Sequence, residues 1–148
     1  MNETIAIACD HAGFELKTRI AEHLQELGFE VKDFGSYTPE AVDYPDFAHP
    51  MADAVDRGIY KRGITLCGSG NGINMVANKH QHVRAALCWT PEIAEMARKH
   101  NDANICSLPS RYISVETARQ IVDVFLNTGF DGGRHQKRID KIPVNTGK

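Results

Sequence analysis

At 148 residues the chain has the length of one domain with a full core, and its 42% hydrophobic and 24% charged residues are ordinary for a globular protein. A net charge of −2 removes the electrostatic case for nucleic acid or an acidic membrane surface, and no apolar run approaches membrane-spanning length. The start, Met1-Asn2-Glu3-Thr4-Ile5-Ala6, lacks the basic stretch and apolar core of a signal peptide. Cys9, Cys67, Cys88 and Cys106 have no close paired spacing and sit in or at the end of apolar runs. That pattern predicts reduced thiols in a cytoplasmic protein, with neither a disulfide scaffold nor a zinc site.

Strand and helix patterns alternate from end to end. Thr4 to Cys9 reads as a buried strand, and Gly13 to Leu27 as an amphipathic helix carried by Phe14, Leu16, Ile20, Leu24 and Leu27, with Gly28 as its stop. Phe29 to Phe34 alternates as a second strand. A turn-rich stretch through Pro39 then reaches Asp43-Tyr44-Pro45, and Phe47, Met51, Ala54 and Val55 predict a second helix. Gly63 to Cys67 is a third strand, followed by a helix from Ile73 to Ala77. Val83 to Cys88 is a fourth strand, after which Thr90-Pro91-Glu92 caps a helix to about His100. Ala103 to Leu108 is a fifth strand, and Ser114-Val115-Glu116-Thr117 opens a last long helix that ends near Gly129.

These units predict a single α/β domain over 1–148: a three-layer α/β/α sandwich on a five-stranded parallel, Rossmann-like sheet. Ligands of such sheets bind beyond the carboxyl ends of the strands. The rule selects Asp10-His11, Tyr37 to Tyr44, Gly68 to Gly72, Trp89-Thr90 and Ser110-Arg111. The glycine-rich, basic tail 129–148 is predicted to pack against something, because a lone polar tail would fray.

The richest segment is Cys67-Gly68-Ser69-Gly70-Asn71-Gly72, between the third strand and the following helix. Glycines let the backbone aim its N–H groups at an anion, the helix start adds partial positive charge, and a thiol there is placed to act as a base. The loop is not a P-loop, lacking the Gly-Lys-Ser/Thr ending, nor a dinucleotide fingerprint, lacking the third spaced glycine. Gly-rich strand-to-helix turns also occur for packing alone, with inert cysteines.

Asp10-His11 could hold a sugar hydroxyl and a phosphate, or Asp10 could simply cap the next helix. His100-Asn101 could supply a general acid favoured by the helix dipole, or a C-cap with Asn101 left-handed. Arg134 and Arg138 would share one face of a helical turn and, with Arg111, could clamp a phosphate, or they could be a solvated basic tail. His23, His80 and His82 read as solvated.

Taken in order, Cys9-Asp10-His11-Ala12-Gly13, Asp43-Tyr44-Pro45, Cys67-Gly68-Ser69-Gly70-Asn71-Gly72-Ile73, Ala77-Asn78-Lys79, Arg84-Ala85, Arg98-Lys99-His100-Asn101-Asp102-Ala103-Asn104 and Gly132-Gly133-Arg134-His135-Gln136-Lys137-Arg138 resemble the ribose-5-phosphate isomerase B family. That family also includes allose- and galactose-6-phosphate isomerases, and the match covers nearly the whole chain. The thiol at position 67 fits its cysteine branch, and Met75 and Val76 offer no carboxylate in its place. The resemblance implies interconversion of ribose 5-phosphate and ribulose 5-phosphate through an enediolate, without metal or organic cofactor. It implies Cys67 as the base assisted by Ser69, backbone N–H groups of Gly68, Ser69, Gly70, Asn71 and Gly72 on the enediolate oxygen, and Asp10 and His100 for ring opening. His11, Arg111, Arg134 and Arg138 would hold the phosphate and Asn101 a hydroxyl, while Asp43 and Tyr44 would set pocket depth. A homodimer or dimer of dimers with sites shared across the interface is implied as well.

Overall fold

Strands buried on both faces lose their polar-apolar alternation, and the central strands here do so. The computed structural model describes residues 2–144. Its strands are β1 (Thr4–Cys9), β2 (Glu30–Asp33), β3 (Arg62–Cys67), β4 (Ala85–Leu87) and β5 (Ile105–Pro109). They form one fully parallel sheet in the order β2-β1-β3-β5-β4. The helices are α1 (Phe14–Glu26), α2 (Pro45–Asp56), α3 (Asn71–Ala77), α4 (Pro91–Asn101), α5 (Val115–Asn127) and the short α6 (Gln136–Ile139).

Side-chain parity divides the core into two layers. Ile5, Ile7, Ile64, Leu66, Cys106 and Leu108 meet α1, α4 and α5 on one face. The other face carries small or polar groups, Ala6, Ala8, Thr65 and Ser107, under α2 and α3. There Thr65 and Ser107 hydroxyls lie 2.7 Å apart, and Ser107 donates to Asn74 Oδ1 of α3 at 2.8 Å. Apolar burial on one face and a satisfied polar seam on the other fix α3 against β3 and β5. The three-layer α/β/α architecture follows, as expected.

Helix starts obey the sequence signals. Thr90 Oγ1 accepts from Ile93 N at 3.2 Å with Pro91 in the first turn, and Ser114 Oγ accepts from Thr117 N at 3.0 Å. Four details differ from expectation. His11 to Gly13 forms a 3-10 turn before α1 begins. β4 is confined to Ala85–Leu87, because Arg84 turns its N–H to the Asn104 side chain rather than to a strand. The left-handed cap of α4 is Asp102 at φ 45°, with Asn101 still helical. His23 is not solvated: its side chain is 14% exposed and its Nε2 lies 2.6 Å from Asp123 Oδ1 of α5.

The described part of the tail is held to the rest of the chain by a few hydrogen bonds, while 145–148 lie outside the described residues. Arg98 Nε donates to Thr128 O at 3.1 Å and Asp131 N to Lys99 O at 3.0 Å, tying it to the end of α4. Val144 and Gln81 then exchange two hydrogen bonds of 2.8 and 2.9 Å. No helix of the described residues is long and apolar enough to cross a membrane.

Candidate active site

Register brings three strand ends to one level. Cys9 lies opposite Leu66, and Cys67 opposite Pro109, so Asp10, Gly68 and Ser110 leave the sheet side by side. β2 and α1 follow β1 to one side, while β3 and α3 diverge to the other, which opens a crevice where the strand order reverses. The crevice is a cleft of about 510 Å³ whose lining includes Asp10, His11, Tyr44, Cys67, Ser69 and Arg111.

Cys67 ends β3 on the face covered by α2 and α3, where Ala48, Ile73 and Val76 pack against it. It is 5% exposed, and that remnant faces the cleft. Beyond it the chain turns sharply. Gly70 has φ 76°, and a Cβ there would come within 2.5 Å of Leu87 Cδ1. A Cβ on Gly72 would lie 2.6 Å from the Tyr44 ring, so only glycine allows that ring over the loop.

The loop leaves its donors free. Among the described residues the backbone N–H groups of Gly68, Ser69, Gly70 and Gly72 donate to no other protein group. The Asn71 N–H is already taken by Ser69 Oγ at 3.2 Å, so of the five expected oxyanion donors Asn71 is committed elsewhere. Four unpaired N–H groups around a helix start are what an anion cradle requires. The Arg111 guanidinium lies across it, close enough to meet a Cβ on Gly68 at 3.2 Å.

Asp10 caps the following turn, as one of the two readings of the sequence had it, and it also stands in the cleft wall. It is 7% exposed, its Oδ1 accepts from Gly13 N at 3.0 Å as a cap, and its carboxylate lines the cleft. His11 Nδ1 accepts from Val42 N at 3.3 Å, which places the ring proton on Nε2.

Sequence reasoning missed the supports of this site. Buried Lys17 donates to both Asp33 carboxylate oxygens at 2.8 and 2.9 Å and to Ser36 O at 2.5 Å, anchoring the loop that leads to Val42 and Tyr44. A lysine on an amphipathic helix carries no signal of this. Ser110 Oγ sits 2.9 Å from the carbonyl oxygens of both Ala12 and Cys67, bracing two strand ends together. Tyr112, three residues past β5, also lines the cleft; the strand-end rule stopped short of it.

The structure does not bring His100, Asn101, Arg134 or Arg138 to this cleft. α4 starts at the carboxyl edge of the sheet and runs for 11 residues, roughly 16 Å, to the amino edge. His100 and Asn101 therefore stand at the opposite end from Cys67. The His135 ring stacks on His100 with centroids 4.5 Å apart, so the tail's Arg134 is held at that end too. Arg134 and Arg138, in the 3-10 turn Gly133–His135 and in α6, are both exposed. Partial burial first, then the charges of His100 and Arg134, hold the His135 imidazole below the ordinary histidine range.

Comparison with known proteins bears on the whole chain. Residues 5–142 match the family model described as Ribose/Galactose Isomerase. The chain is 45% identical over 138 residues to ribose-5-phosphate isomerase B of Escherichia coli, covering 93% of each. A crystal structure of a ribose 5-phosphate isomerase from Thermotoga maritima superposes with a TM-score of 0.94 at 49% identity, covering 97% of this chain and 99% of that one. A Mycoplasma genitalium ribose-5-phosphate isomerase B with bound ribulose-5-phosphate superposes at 0.92 with 46% identity, covering 96% and 95%. With a thiol at the switch point, an unpaired N–H cradle and a match along nearly its full length, this chain belongs to the Ribose/Galactose Isomerase family.

Proposed function

We propose that the protein interconverts ribose 5-phosphate and ribulose 5-phosphate by proton transfer through an enediolate. The observation that carries this reading is the cleft itself, with the Cys67 thiol beside four uncommitted backbone N–H groups and next to Asp10, His11 and Ser69. The Cys67 thiolate removes the proton from C2 of the open-chain aldose, and the electron pair forms the C1–C2 double bond while negative charge moves to O1. The loop N–H groups stabilise that oxygen, so the dipoles are in place before charge develops. The Cys67 thiol returns a proton to C1 as the O2 hydroxyl proton passes to O1, so that O1 becomes the hydroxyl and C2=O2 the carbonyl of the ketose. Ser69 holds the loop and the reacting hydroxyl, and Tyr44 closes the cleft above Gly72.

Phosphate binding falls to His11, as a neutral Nε2–H donor, and to Arg111. Ring opening needs an acid, and the clamp needs more positive charge than Arg111 provides. His100, Asn101, Arg134 and Arg138 suit those tasks but lie at the far end of their own chain. A second copy, docked with the amino edge of its sheet against this cleft, would bring them in. This makes the protein a homodimer or dimer of dimers whose sites are shared.

The direct test is turnover by the purified protein of ribose 5-phosphate against allose 6-phosphate, in deuterium oxide. Ribose 5-phosphate is expected to be the faster substrate, with deuterium appearing at C1 of the ketose. Preference for the hexose phosphate would reassign the substrate, and no deuterium at C1 even after prolonged equilibration with the enzyme would remove the enediolate.

A further inference from the structure

We propose that His100, Asp131 and His135 form a binding site for a zinc-class divalent metal ion, and that the bound ion inhibits the enzyme. His100 ends α4 and lies 31 residues before Asp131, which with His135 belongs to the tail, so no spacing motif announces the three together. One ligand atom from each lies within 4.8 Å of the other two. A zinc ion with nitrogen and oxygen ligands separates its donors by roughly 3.3 Å, so a closure of about 1.5 Å is required. Rotation of half-buried and exposed side chains supplies it; the two rings, now stacked 16° from parallel, must unstack so that their nitrogen lone pairs converge with the Asp131 carboxylate.

The donors are available and the frame is held. Among the described residues none of the three side chains hydrogen-bonds to another protein group. The backbone beneath them is pinned by Asp131 N to Lys99 O at 3.0 Å and His135 N to Gly132 O at 3.2 Å. Two imidazoles with one carboxylate select zinc and its neighbours over magnesium or calcium, which need more oxygen ligands. Arg134 and Arg138 flank the site and oppose a cation, which limits affinity without altering that selectivity.

The inhibitory consequence rests on the acid role proposed for His100; the site itself does not. A metal ion on His100 occupies the nitrogen lone pair that would carry the proton. Titration calorimetry of the full-length, metal-stripped protein with zinc chloride tests the site. One saturable zinc per chain is expected, weakened about tenfold or more in Asp131→Asn with His135→Gln, and unaffected by excess magnesium. Both positions are at or near the surface, and a melting curve of the double variant verifies its fold; Asp131→Glu should keep most of the affinity. Absence of saturable binding, or equal zinc affinity in wild type and double variant, overturns the site. Activity, normalised to each protein's metal-free rate, tests the consequence. Zinc should inhibit the wild type reversibly with EDTA, and the double variant should need about tenfold more zinc. Loss of binding in the double variant with unchanged inhibition would place the inhibitory zinc elsewhere, at Cys67 for instance, and would overturn the inhibitory role alone.

Discussion

One flank of the Cys67 side chain packs on Ala48, Ile73 and Val76, and the other faces the cleft, where the next carbon of a bound sugar would sit. In the proposed mechanism the apolar flank limits water at the base, and the N–H groups a residue or two away would receive the charge released into the substrate. Cys67→Ala removes one sulfur from a snug but small site, so folding should survive. Turnover should fall about 100- to 10,000-fold, the usual worth of a positioned base, as measured by a coupled isomerase assay. Retention of most activity would end the assignment. The other thiols differ in kind. Cys9 is fully buried and burial pushes its thiol up; Cys106 is pushed well up by its hydrogen bond with Cys88 and by burial. A thiol reagent at pH 8 should therefore label Cys67 alone in the folded protein, with peptide mass mapping as the readout and sugar phosphate as protectant.

At the scale of elements, the turn between β3 and α3 is the component with least tolerance. Gly70→Ala imposes φ 76° on a residue with a Cβ and drives that atom toward Leu87 and the Leu108 carbonyl carbon. It should cost about 2 kcal/mol in a denaturant titration and lower kcat by shifting the N–H cradle. The amino edge of the sheet is secured differently. Arg62 makes two bonds of 2.8 and 2.7 Å to Glu3 and one of 2.9 Å to Leu126 O, joining β1, β3 and the end of α5. The hydrogen bond from Arg62 holds the Glu3 carboxyl below its ordinary 4.5. A depressed carboxyl stabilises the fold fully above that ordinary value and loses its contribution as the pH falls through the lower folded value. Glu3→Gln should thus destabilise by about 1 kcal/mol at neutral pH, a figure reduced by partial solvent exposure, and the gap should close below pH 4.5. A gap independent of pH would assign the effect to packing.

The same scale explains what could be read from the residues. All five strands were legible, because apolar runs bounded by glycine and proline carry periodicity, and the Cys67 loop was legible because its composition is exceptional. β4 was over-read at its start, where the Val83 N–H turns back to His80 O and the Arg84 N–H goes to the Asn104 side chain, 20 residues away. Lys17, His23 and the His100–Asp131–His135 cluster were illegible for one reason: each depends on a partner distant in sequence, whose approach only the folded chain decides.

For the whole molecule the geometry poses one demand. The proposed base and oxyanion cradle stand at the carboxyl edge of the sheet, while the imidazole and two arginines proposed for the other end of a sugar phosphate stand at the amino edge, roughly 16 Å of helix away. No side-chain rotation spans that length. If the site is shared between copies, loss of Cys67 and loss of the clamp are defects in different halves of one site. Cys67→Ala homodimers lack a base in both sites, and Arg134→Ala with Arg138→Ala homodimers lack the clamp in both. In a heterodimer of the two, one site carries both defects and the other carries none. Random exchange at equal amounts makes half the dimers mixed, each with one working site, so activity should return to about a quarter of wild type. Phosphate contacts formed equally in ground and transition states lower KM, so the clamp variant alone should lose binding more than turnover unless the phosphate also anchors the reacting carbons. Mixing at saturating substrate therefore requires the single-variant rates as baselines. Recovery above their sum places base and clamp in different chains, and no recovery after subunit exchange is demonstrated by mass spectrometry places them in the same one.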